Sequence, residues 1–158
     1  MGNMMVWVLA QDAFWAGVTA VGFAILFSVP RRDLPGAFLT GAAGHCTRAL
    51  LAQWGVPLEG ATLAGAVVVG VLGNLLAQRL HKPTFVFTVP GVIPMVPGVF
   101  AFQTMMGILR VTTAAGGEVS GVLVDAGINA IHTALLLGAL ALGISVPRLL
   151  FRHPRPVV

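Results

Sequence analysis

Two ionisable side chains stand in the middle of an apolar stretch, His45 and Arg48 of Gly44-His45-Cys46-Thr47-Arg48. Three residues apart, they share one face of a helix. An arginine inside hydrocarbon is costly and usually turns to a bundle interior or an aqueous path. There its fixed fork of donors can hold the carboxylate of a substrate. An internal acid such as Asp12 or Asp125 is the competing partner, and snorkelling to the interface is the third option. His45 changes charge near neutral pH and so can carry a proton.

A second constellation is Asp125, Asn129 and His132, spaced i, i+4 and i+7 and therefore one polar stripe. Asp12 beside Gln11, Asn74 with Gln78, and Gln103 add polar groups to other apolar runs. Such residues inside spans line solute or proton paths. Asp125 near an interface would be merely solvated.

The third is backbone. Pro90, Gly91, Pro94, Pro97 and Gly98 fall within nine residues of an apolar background. Proline removes a donor and clashes with the preceding turn, so no regular helix is expected through this stretch. Irregular backbone at membrane depth is tolerated only against protein or a water-filled cavity. Broken helices of this kind build solute and ion sites, where freed amides and helix ends face the cargo. A kinked entry at the interface is the alternative.

Catalysis finds no comparable pattern. HExxH, paired CxxC and GxSxG are all absent. Lone Cys46 cannot form an intramolecular disulfide and reads as a small packing residue. We expect no enzyme, no metal site and no cofactor.

The elements that must hold these groups follow from composition. Of 158 residues, 57% are hydrophobic and 9% charged, against roughly a quarter charged in soluble domains. Apolar runs near the roughly 20 residues needed to cross hydrocarbon recur. We expect one all-α transmembrane bundle over residues 1–158, with no soluble domain and five spans. They cover about residues 5–27, 34–54, 58–80, 94–111 and 119–150, with the Pro-Gly break before the fourth. The N-terminus, MGNMMVWVLAQDAF, lacks a basic leader region and reads as part of a retained helix.

Charge orients the bundle. With five spans, Arg31, Arg32, Arg79, Lys82, Arg148, Arg152 and Arg155 share one face, and only Arg110 sits near a helix end on the other. That asymmetry places the C-terminus in the cytoplasm and the N-terminus outside. The net charge of +4 therefore sets topology and does not point to nucleic acid. Ala61/Gly65, Ala66/Gly70, Ala134/Gly138 and Ala139/Gly143 mark close packing faces in lipid.

Three blocks now stand in order: Gly22-Phe23 through Val29-Pro30, Gly44-His45 through Arg48, and Ile93-Pro94-Met95-Val96-Pro97-Gly98. With the closing helix that ends Gly143-Ile144-Ser145-Val146-Pro147, they make the chain resemble the threonine/serine exporter family. The likeness is to the small membrane subunit of its split, two-component members. It implies a multi-pass protein of the bacterial inner membrane and a larger membrane subunit as partner. A homo-oligomer is the other arrangement, since five helices alone enclose little space. It also implies export of threonine and serine, and a split pair of this type is associated with succinate. The cargo would be a small carboxylate. The motif positions fall on His45, Arg48, Pro90, Pro94, Pro97 and Gly98. A non-transporting assembly or regulatory subunit is the competing function.

Overall fold

A computed structural model describes the backbone of residues 2–113 and 119–150, with side chains described over 6–113, 119–147 and at 149. The order is α1 (Gly2–Leu26), a 3-10 turn (Arg31–Asp33), α2 (Leu34–Gln53) and α3 (Leu58–Leu80). There follow α4 (Phe85–Val92), a second 3-10 turn (Ile93–Met95), α5 (Gly98–Thr113) and α6 (Val119–Leu150). Among the described residues there is no strand, so the all-α expectation holds. The expected basic tail, with Arg152 and Arg155, lies outside the described residues, as does most of the linker between α5 and α6.

The first three helices stop by one device. Ser28 (φ 59°), Gly55 (φ 82°) and His81 (φ 53°) adopt the left-handed conformation, and each is followed two residues later by a proline. Behind each, an amide reaches back across the last turn: Val29 to Ala24 O at 2.9 Å, Val56 to Leu51 O at 3.1 Å, Lys82 to Ala77 O at 2.9 Å. These bonds satisfy carbonyls that the helix leaves open, and the proline cannot extend it.

The proline-rich stretch departs from expectation. Phe85–Val92 is α-helical with Pro90 inside it, where an irregular approach to a helix at about Pro94–Val111 was expected. One proline removes one helical bond and keeps a helical φ, so neighbouring helices can hold the turn in place. The break falls later. Pro94 tightens the chain into the 3-10 turn, and Val96, the residue before Pro97, is pushed out of helical geometry. There Gly98 N–H donates to Val96 O at 2.8 Å, and α5 starts as Ala101 N–H donates to Pro97 O at 3.1 Å.

The chain divides into two compact units: Met1–Met95 with Ala139–Val158, and Val96–Gly138. In the first, glycines set the helix crossings. A Cβ on Gly65 would lie 2.6 Å from Gly44 O, and one on Gly41 would lie 2.5 Å from Ala20 Cβ. Gly143 of α6 meets Ala66 of α3 in the same way. The core behind them is Ala66, Val69, Val92, Met95 and Leu140, with Ile144 packed against it. In the second unit α5 runs beside the Val119–Gly138 part of α6, with Gly107 against Ala126. Of the expected small-residue faces, Ala61/Gly65, Ala66/Gly70 and Gly143 are packed, whereas Ala134 and Gly138 are exposed.

Burial runs opposite to a soluble fold. The fully covered positions include Ala20, Ala24, Ala37, Ala61 and Ala66, while Trp7, Trp15, Leu26, Phe102 and Leu142 are each more than 60% exposed. Water would not tolerate so large an apolar surface on a monomer; lipid does. Among the described residues, three helices are long and apolar enough to cross a membrane: Val6–Leu26, Leu58–Leu80 and Val119–Pro147. Counting Phe85–Met95 with Gly98–Thr113 as one broken span gives four. The 20 residues of α2 have the length, but His45 and Arg48 keep its hydropathy below theirs.

Candidate functional site

Arg48 lies on the fourth turn of α2, and its Nη1 donates to the carbonyl oxygen of Met95 at 3.0 Å. Met95 closes the 3-10 turn where the helical ladder stops. A carbonyl there has lost the donor that a continuing helix would supply, and in hydrocarbon it needs another. Arg48 provides one and keeps further N–H donors on the same guanidinium. This partner is a backbone group, where the sequence suggested a substrate or an acid such as Asp12 or Asp125.

Thr40, two turns earlier on α2, donates to Phe87 O of α4 at 3.0 Å and shares that proton with Ala37 O. Gly91 makes room for it, since a Cβ there would stand 2.7 Å from Thr40 Oγ1. On the α3 side, Gly73 admits Thr88 of α4. The broken helix is thus gripped by hydroxyl, guanidinium and glycine contacts. Pro90, Gly91 and Met95 are buried, and Pro94 is half-buried.

His45 is half-buried, and its Nδ1 is covered and has no hydrogen-bond partner. Arg48 and Asp12 of α1 are the charged groups whose fields reach it. Asp12 itself is exposed. Together, His45, Arg48, Pro90, Gly91, Pro94 and Asp12 belong to the first unit.

The other expected residues gather in the second unit. Gln103, Asp125 and Asn129 line a groove of about 550 Å³ between α5 and the first part of α6. His132 stacks on Phe100, with ring centroids 5.3 Å apart and planes 26° apart. Pro97 is buried and Gly98 exposed at the start of α5. The same groove is lined by Arg110, which sequence reasoning treated only as a topology charge. Its signal was periodic: Gln103, Gly107 and Arg110 stand at i, i+4 and i+7 and so share a helix face. Among the described residues, no group of three His, Cys, Asp or Glu side chains is placed to hold a metal ion.

Residues 12–150 match the family described as "Threonine/Serine exporter, ThrE". The chain belongs to the threonine/serine exporter family. An uncharacterized protein of Haemophilus influenzae is similar to it, 36% identical over 151 residues, which cover 95% of this chain and 50% of that relative. The chain therefore spans about half the length of that relative. No solved structure matches it. In this exporter-family member, then, two features stand out among the described residues: a broken helix whose Met95 carbonyl is held by Arg48 of α2, and a charged groove between α5 and α6.

Proposed function

We propose that this chain is a subunit of a secondary transporter that exports small carboxylates from the bacterial cytoplasm across the inner membrane. The cargo is an amino acid of the threonine/serine type, with dicarboxylates such as succinate as the second class. The observation that carries the reading is Arg48 at the end of the broken helix. A permanent cation beside interrupted backbone is how transporters present charge and open carbonyls to a solute. Arg48 anchors Met95 with one N–H and offers the remaining ones to a carboxylate, while His45 moves a proton if export is proton-coupled.

Span count follows from the same chemistry. We take α2 as a fifth span, with its polar face turned to the protein. The turns at Arg31–Asp33 and at Lys82 then share the cytoplasmic face, in keeping with the Lys82 Nζ to Asp33 Oδ2 pair at 3.8 Å. A larger membrane subunit completes the path, consistent with this chain matching half of its relative; a homo-oligomer is the other way to complete it.

The test is efflux from cells lacking this gene and its partner, with both restored. Wild type should export, and Arg48→Ala and Pro94→Ala should fall well below it at normal expression. Unchanged efflux in both variants would remove the broken helix from the site. A second reading, a non-transporting assembly subunit, is favoured by the fact that, among the described residues, the hydrogen bond Arg48 makes goes to backbone. Full-rate export by the larger subunit alone would select it.

A further inference from the structure

We infer that the groove between α5 and the Val119–Gly138 part of α6 is a binding site for a zwitterionic solute, with Arg110 and Asp125 reading its two charges. The inference rests on the exporter reading above and narrows its cargo. Gln103, Gly107 and Arg110 form one stripe along α5; Asp125 and Asn129 form the facing stripe on α6, and all five line the same groove. Away from the groove, Met105, Ile108, Leu123, Val124 and Ile131 are large apolar side chains exposed on the outer faces of the hairpin. Among the described residues, the charged and amide side chains of the two helices are therefore collected on one side, the arrangement expected of a water-filled path in lipid.

Register fixes the order along the groove. The Phe100–His132 stack and the approach of Gly107 to Ala126 set α5 and α6 antiparallel. Asp125 then lies level with Gly107, and Arg110 is about one turn, roughly 5 Å, nearer the Thr113 end. No ion pair joins Arg110 to Asp125 among the described residues, so their charges are not spent on each other. An α-amino acid carries its carboxylate and ammonium one carbon apart, which suits a cation and an anion offset by a turn. Gln103 and Asn129, one turn further in, offer amides that can both donate to and accept from a side-chain hydroxyl.

The second charge is what discriminates. A dicarboxylate would satisfy Arg110 with one end and set its other end against Asp125, and like charges at close range oppose binding. A carboxylate-only site would need no acid at this position.

The experiment uses the chain co-expressed with its larger partner, purified together in detergent, with binding of labelled threonine and labelled succinate measured alongside efflux from cells. The wild-type complex should bind threonine well above succinate. Asp125→Asn should weaken threonine at least about tenfold, the scale of one charge-assisted contact, and narrow the gap to succinate. Arg110→Gln should weaken both, and Asp125→Glu and Arg110→Lys should keep part of the affinity, which separates charge reading from loss of fold. If threonine binds and is exported while Asp125→Asn and Arg110→Gln leave its affinity unchanged, the groove is not the site and the exporter reading survives. Equal binding of succinate and threonine by wild type overturns the zwitterion reading alone. A complex that neither binds nor exports either solute overturns the exporter reading and this one with it.

Discussion

Arg48 Nη1 lies 3.0 Å from the carbonyl oxygen of Met95, so a charge on α2 closes the end of the helix that starts at Phe85. Removing the guanidinium leaves that carbonyl in apolar surroundings without a donor. An unsatisfied buried polar group costs about 1–3 kcal/mol. Arg48→Met should therefore lower stability by that order in a detergent unfolding titration, and Arg48→Lys by less. Equal stability of all three would mean that the bond does not hold the break.

Glycine crossings make a sharper steric prediction. A Cβ on Gly65 would meet Gly44 O at 2.6 Å, a backbone atom that cannot move aside alone. Gly65→Ala should then destabilise by about 1–3 kcal/mol, the usual cost of overpacking. Gly121, with nothing within 4 Å of its notional Cβ, is the control. Gly121→Ala should be neutral or gain a few tenths of a kcal/mol from reduced backbone freedom. Thermal shift of the two variants side by side checks the contrast.

Much of this was legible in the sequence. The breaks at Pro30, Pro57 and Pro83 are visible because a proline cannot continue a helix, and α2, α3 and α6 fall on the apolar runs. The stretch around Pro90 departs from expectation for a physical reason. Proline density argues against a free helix, but it does not count what tertiary contacts supply, here Thr40 to Phe87 O and Gly73 against Thr88. Arg48 stood out as a costly charge, yet its partner was a carbonyl, and carbonyls are the same at every residue. Arg110 does not stand out in the sequence, because a cation near a helix end has a ready topological explanation.

The loop ends offer a third test. Asp33 is 4% exposed, with Lys82 Nζ 3.8 Å from its Oδ2. Lys82 is partly exposed, so the pair is worth less than a fully buried one, on the order of 1 kcal/mol. Lys82→Ala should destabilise by about that much. Adding Asp33→Asn should return part of the loss by removing the stranded charge. A double-mutant cycle in urea or SDS gives the coupling, and a value of zero would mean that the two turns are not held together.

Orientation gives a fourth. In a Cys46→Ser background, a cysteine at Arg32 or Lys82 should react with membrane-impermeant maleimide only in inside-out vesicles. One at Trp54 or Pro57 should react only in intact cells after outer-membrane permeabilisation. The reverse pattern would invert the topology read from the basic turns.

The most direct measurement is efflux of labelled threonine from proteoliposomes loaded with it, comparing the larger subunit alone, this chain alone, and both together. We expect rapid release only when both are present, and little from Arg48→Ala paired with a wild-type partner. Release by the larger subunit alone at the rate of the pair would contradict the account, leaving this chain as an assembly factor.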